Sequence, residues 1–249
     1  MTNIQNNKSF QIGDAPWTYD EMRELLEEFA SIYENRPIKS NHGGQLSAQL
    51  FYSWFVAKKM QPEIIIESGT YKGQGTWAFE QAAPEAHIVC LDPFPKEEYK
   101  SEKAQYIRKD FNHMNWDPIP KDNTLVFFDD HQNAVNRILA CKSLGFRHIM
   151  FEDNYPHDQG DCLSLKKVFA KKTNYEVIPE ISAADWLQKV IKTYYEMPPI
   201  FDLPTNRWGL PWDTYKSNSP LLQERTEAYH DTYYREMDQF TWINYVELK

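Results

Sequence analysis

Glycine is scarce. The chain holds nine in 249 residues, about half the usual ~7% share. A sequence this poor in glycine keeps it where the backbone must turn sharply or come close to something else. Three of the nine, Gly69, Gly73 and Gly75, fall within seven residues. Cysteine is scarcer, with three residues; an odd and sparse set argues against a disulfide framework and fits a reducing cytosol. Long apolar runs are missing. The longest aliphatic stretch is Ile64-Ile65-Ile66, against the roughly 20 residues of a membrane-spanning helix, so no membrane partner is expected. The first ten residues are polar and do not read as a secretory signal. Positive charge is in deficit, 27 Lys and Arg against 36 Asp and Glu, a net −9. Proteins that neutralise phosphate backbones are normally basic, so nucleic acid is not an expected partner.

What is present describes a globular protein: 41% hydrophobic and 25% charged residues suffice for a sizeable core. Helical spacing predicts a helix over 18–33, with Thr18 as N-cap and Glu21 three residues on, and a second over 46–60. The period then changes. Short apolar runs at 64–66, 87–91, 106–108, 124–128 and 147–151 read as strands, and helices are expected at 75–83, 96–105, 133–144 and 162–172. Alternation of this kind specifies a Rossmann-like, doubly wound, mostly parallel sheet. We read 1–62 as an N-terminal helical cap, 63–196 as the Rossmann-like core and 197–249 as an irregular, aromatic, proline-rich extension. The extension is expected to carry a helix at 221–237 and a final strand at 243–248, and to act as a lid or an interface between copies of the chain.

Acidic residues follow the strands: Glu67, Asp92, Asp129 and Asp153. Ligands of doubly wound sheets bind outside the carboxyl ends of the strands, so these acids are expected on one rim. The segment Glu67-Ser68-Gly69-Thr70-Tyr71-Lys72-Gly73-Gln74-Gly75 follows a buried strand and opens a helix. Such a loop brings backbone N–H groups close to a ligand. Its spacing is neither the dinucleotide fingerprint nor the P-loop. Asp92, at the end of the next strand, is placed to accept hydrogen bonds from ribose hydroxyls.

The E-x-G-x-x-x-G pattern and the acid after strand two resemble class I S-adenosylmethionine-dependent methyltransferases over about residues 63–172. That resemblance implies a cofactor site of Glu67, Gly69, Thr70, Gly73 and Asp92, with Asp110 near the adenine. Phe128-Asp129-Asp130-His131 and Phe151-Glu152-Asp153-Asn154 resemble the metal site of the catechol O-methyltransferase-like branch. It implies Mg²⁺ held by Asp129, Asp153 and Asn154. Similarity to the cephalosporin hydroxylase and macrocin O-methyltransferase group instead makes Glu152 a ligand in place of Asn154. Carboxylates and amide oxygens are hard ligands suited to Mg²⁺; solvated acids that cap the following helices are the plainer reading. The catechol pattern has a lysine base where this chain has Gln132, which leaves His131 as the titratable neighbour.

The expected activity is Mg²⁺-assisted methyl transfer from S-adenosylmethionine to a hydroxyl of a small polyol, sugar or phenol, with His131 and Asp129 at the reacting group. Two other readings stand beside it: a metal-dependent nucleotide-sugar transferase using Asp129 and Asp130, and a non-catalytic cofactor-binding assembly protein. The loops Asn41-His42-Gly43-Gly44 and Tyr155–Asp161 are expected beside the site.

Overall fold

The computed structural model describes residues 9–171, 173–178, 180–225 and 229–249. Thr18 opens α1 (Tyr19–Glu24) by a capping box, its hydroxyl accepting from the Glu21 N–H while the Glu21 carboxylate accepts from the Thr18 N–H. A break at Leu25 (φ −100°, ψ −2°) separates α1 from α2 (Leu26–Tyr33), so the helix expected over 18–33 is two. Then come α3 (Ser47–Met60), β1 (Ile64–Ser68), α4 (Gln74–Ala82), β2 (His87–Leu91), β3 (Ala104–Ile107), β4 (Thr124–Phe128), α5 (Ala134–Leu144) and β5 (His148–Phe151). The chain continues through α6 (Leu165–Phe169), β6 (Glu176–Ile178), β7 (Ile181–Ser182), α7 (Ala183–Val190), β8 (Ile191–Glu196), α8 (His230–Tyr234) and β9 (Asn244–Leu248).

Seven strands form one sheet in the order β3-β2-β1-β4-β5-β9-β8. The first five are parallel, and β9 runs antiparallel between β5 and β8. Strand period two sends alternate side chains to opposite faces. Ile65, Ile88, Leu125, Phe127 and Met150 face α1 to α4 and the aromatic extension; Ile64, Ile66, Val89, Val126, Phe128 and Ile149 face α5, α6 and α7. Both faces are therefore covered, which is why the strands read as continuous apolar runs. Trp212 stacks flat on Trp242 (4.2 Å, 4°) within the first of these cores, so the extension packs with the N-terminal helices on one side of the sheet. Among the described residues, no helix is long and apolar enough to cross a membrane.

The helix expected over 96–105 is absent. Pro95 precedes the segment, the Glu98 and Tyr99 N–H groups both donate to the Lys72 carbonyl, and Ala104 already pairs with Ile88 in the sheet. The helix expected over 162–172 shortens to α6, capped by the Ser164 hydroxyl on the Lys167 N–H; Lys172 lies outside the described residues. Of the helix expected over 221–237 only α8 forms, because the Leu221 and Leu222 N–H groups donate across to Pro199 and Ile200 carbonyls; residues 226–228 lie outside the described residues. The edge strand β8 had no clear signal, since Ile191-Lys192-Thr193-Tyr194-Tyr195-Glu196 mixes polar and aromatic residues without alternation.

Register places the site. Ser68 sits level with Leu91 and with Phe128, and Phe128 with Phe151. The next residues, Gly69, Asp92, Asp129 and Glu152, therefore leave the sheet along one rim, at the switch between β1 and β4. Arg137 on α5, only 2% exposed, ties this rim from below, pairing with Asp110 (2.5 Å) and Asp130 (2.7 Å). Removing one partner of a buried ion cluster strands the others. Arg137→Met is expected to lower unfolding free energy by about 3 kcal/mol, read as a lower urea midpoint with an unchanged slope.

Candidate active site

The turn after β1 is set by two glycines. Gly69 has φ +94°, and a Cβ there would lie 2.0 Å from the Asp129 carbonyl oxygen. Gly73 has φ +92°, and its Cβ would lie 2.3 Å from the Tyr99 carbonyl oxygen. Only glycine fits either place. The turn is thereby pressed against the end of β4 and against the segment before β3. Thr70 within it is buried. Asp92 holds the turn from the side, accepting from the Tyr71 N–H (3.0 Å) and the Phe94 N–H (2.8 Å).

Glu67 lies inside the turn rather than on its surface, 1% exposed. Its carboxyl accepts from the Thr76 hydroxyl and the Cys90 thiol. Burial pushes its pKa up to about 8, against those two hydrogen bonds. Asp110 was expected near an adenine. Its carboxylate is engaged by Arg137 and by the Asn112 N–H, and the Arg137 hydrogen bond holds its pKa below the usual range.

Asp129, His131 and Asp153 converge, with one potential ligand atom from each lying within 4.8 Å of the others. Asp129 accepts from the Gln45 side-chain amide (3.1 Å). Burial, then the charges of Glu152 and Asp153, drive its pKa well up. Glu152 accepts from the Thr241 hydroxyl (2.6 Å) and is likewise raised by burial and by Asp153. Asp153 is buried, and neither of its oxygens meets a well-aligned hydrogen-bond partner. An orphaned buried carboxylate is costly unless something else satisfies it. His131 adopts left-handed backbone (φ +53°), a conformation that costs about 1–3 kcal/mol in a non-glycine residue and is typical of functional sites. Its Nδ1 lies 3.0 Å from Asp161 and 3.5 Å from Asp153. Burial works against its protonated form, but these carboxylates outweigh it and the pKa is raised.

Asn154 does not join the cluster. Its oxygen accepts from the Lys166 N–H (2.9 Å), and its amide donates to the Tyr194 hydroxyl (2.9 Å) and to Glu196 (3.3 Å). Of the two alternatives for the third ligand, Glu152 is the one that lines the cavity with Asp129 and Asp153. Asp130 also turns away, towards the Ser68 hydroxyl (2.7 Å) and Arg137, so Asp129 and Asp130 form no joint clamp.

The cluster forms the floor of a cavity of about 390 Å³. The loops 40–44 and Tyr155 contribute walls, as does a set with no advance signal: Gln49, Arg207, Arg235 and Gln239. Gln45 and Thr241, which hold Asp129 and Glu152, were equally invisible beforehand because each comes from a distant segment.

The chain is a doubly wound α/β protein of the Rossmann-like type, with its polar cavity at the strand carboxyl ends. No protein-family model and no curated protein matches it. Solved structures of similar architecture include the SAH-bound methyltransferase PaMTH1 of Podospora anserina (15% identity over 73% of this chain and 74% of that one, TM-score 0.40). Others are the O-methyltransferase TomG of Streptomyces achromogenes in complex with SAM (12%, 67% and 74%, 0.37) and a methyltransferase of Geobacter sulfurreducens (14%, 56% and 73%, 0.31). Identities this low and superpositions this loose assign no residue and no activity to this chain.

The buried Glu67 makes stability pH-dependent. Its folded pKa of about 8 stands above the ordinary 4.5. Between these values the native state keeps a proton that the unfolded chain has lost, so Glu67 costs stability progressively as pH rises through the window. Glu67→Gln is expected to flatten that loss, measured as the change in urea midpoint between about pH 5 and about pH 8.

Proposed function

We propose that this protein is an S-adenosylmethionine-dependent, Mg²⁺-assisted O-methyltransferase acting on a hydroxyl of a small polar substrate. The observation that carries the reading is Asp153: a buried carboxylate with neither oxygen in a well-aligned hydrogen bond, its ion-pair neighbour the half-exposed His131 and its other neighbour Asp129. The donor set fits a hard divalent cation. Burial, and then repulsion from neighbouring carboxylates, raises Asp129 and Glu152, and a cation would relieve that repulsion.

Asp129 and Asp153 would hold the ion, with Glu152 completing the protein's share. Gln45 and Thr241 fix the orientation of Asp129 and Glu152. The turn at Gly69–Gly73 and the carboxylate of Asp92 would hold the cofactor, with Glu67 supporting the turn from within. When bound, the ion lowers the pKa of a hydroxyl beside it and the cofactor provides the methyl group. The chain's own part is then to orient the acceptor and to remove one proton. His131 takes that proton at the imidazole, and Asp153 and Asp161 stabilise the resulting cation. Orientation supplies much of the rate in a direct displacement.

Asp153→Asn is expected to abolish the Mg²⁺ dependence of methyl transfer, measured with labelled cofactor, while S-adenosylhomocysteine still binds. Asp92→Ala is expected to weaken S-adenosylhomocysteine at least about tenfold by calorimetry, some 1.4 kcal/mol. A wild-type protein whose melting temperature ignores S-adenosylhomocysteine would remove the reading altogether.

A further inference from the structure

The cavity carries charge of both signs. Beside the acidic floor, Lys39, Arg207 and Arg235 line the same space, together with Glu236 and Asp238. Two of these cations are partly engaged. The Lys39 ammonium donates to the Glu34 carbonyl, and the Arg235 guanidinium lies 3.7 Å from Asp231. Arg207 is different. Among the described residues, no carboxylate lies within ion-pair distance of it and no hydrogen bond holds it, although its charge reaches Glu152; its guanidinium lies over the Trp208 ring, 5.3 Å from the centroid.

The turn that carries Arg207 is closed by its own hydrogen bonds. Asn206 is 2% exposed, and its side-chain oxygen accepts from both the Trp208 and the Leu210 N–H groups (3.0 Å each). The Asn206 N–H donates back to the Leu210 carbonyl (2.9 Å). Trp208 meets Tyr155 edge-on at 5.7 Å, which docks the turn on the loop directly after Asp153 and Asn154. A buried asparagine thus builds a platform whose exposed arginine lines the cavity beside the acidic cluster.

The wall has little carbon to offer. Among the described residues, Leu46 is the one aliphatic residue lining it, and Tyr155 the one aromatic besides His42 and His131. Flat phenols are normally received by apolar walls, so the phenol among the expected substrates is disfavoured and a hydrophilic acceptor fits. Guanidinium groups pair with carboxylate and phosphate by two parallel hydrogen bonds. We infer that the substrate of this site is an acidic hydroxy compound, a sugar acid or sugar phosphate, whose anionic group is bound by Arg207 with Arg235 while its hydroxyl faces the Asp129–Asp153 floor. The inference rests on the methyl-transfer reading for the role of that floor.

Calorimetry with Mg²⁺ and S-adenosylhomocysteine present tests it, using three matched probes: glucose, glucuronate and glucose 6-phosphate. One of the two acids is expected to bind at least about tenfold more tightly than glucose, and which one does so distinguishes carboxylate from phosphate. Arg207→Gln is expected to erase that preference, Arg207→Lys to keep part of it, and both to leave S-adenosylhomocysteine affinity and melting temperature unchanged. Equal binding of all three sugars, no binding by either acid, or a preference intact in Arg207→Gln would overturn the proposal. Should the acid preference hold while S-adenosylhomocysteine fails to bind, the methyl-transfer reading falls and the anion subsite stands.

Discussion

The contact between Gly69 and the backbone of Asp129 governs this molecule. It joins the ends of β1 and β4, where the direction of strand order reverses and a crevice opens. The Asp129 N–H donates to the Ser68 carbonyl (2.8 Å), and the Gly69 N–H donates to the Leu91 carbonyl (2.8 Å). Three strand ends are therefore locked into one row before any side chain is considered. The glycine turn, the acid after β2 and the acidic pair after β5 all take their positions from that row.

Around it the protein buries an unusual amount of charge, sorted into three groups with different consequences. Arg137 with Asp110 and Asp130 is closed upon itself and stabilises the underside of the rim. Lys166 with Glu196 is closed too; burial pushes Glu196 up to about 7 and pulls Lys166 down, and Asn154 is bound to the same group. Asp129, Glu152 and Asp153 are different, because among the described residues no cation pairs with Asp153 except the half-exposed His131. Closed groups are structural. The open one, facing a cavity, is where a ligand would complete the charge balance.

The walls of that cavity come from the whole length of the chain. Lys39 and the 40–44 loop precede the sheet, and Arg207 and Arg235 lie between its strands β8 and β9, yet all line one space with the strand-end acids. The extension after residue 197 accordingly belongs to the site as well as to the core, where Trp212 and Trp242 stack.

Local chemistry made the sheet and its rim legible. β-Branched runs bounded by acids or glycines marked β1, β2 and β4, and three crowded glycines marked a turn with positive φ, since each of these signals acts within a few residues. The same locality explains the failures. The stretch 96–105 has helical composition, yet contacts with Lys72 and Gly73, far off in sequence, hold its backbone out of a helix. Asn154 and Glu152 flank Asp153 as alternative ligands on residue type alone. Packing against Tyr194, Glu196 and Lys166 turned Asn154 away, while Glu152 lines the cavity, because the direction of a side chain depends on partners that only folding brings near. Arg207 carried no signal at all; an exposed arginine gains meaning from the cavity it borders.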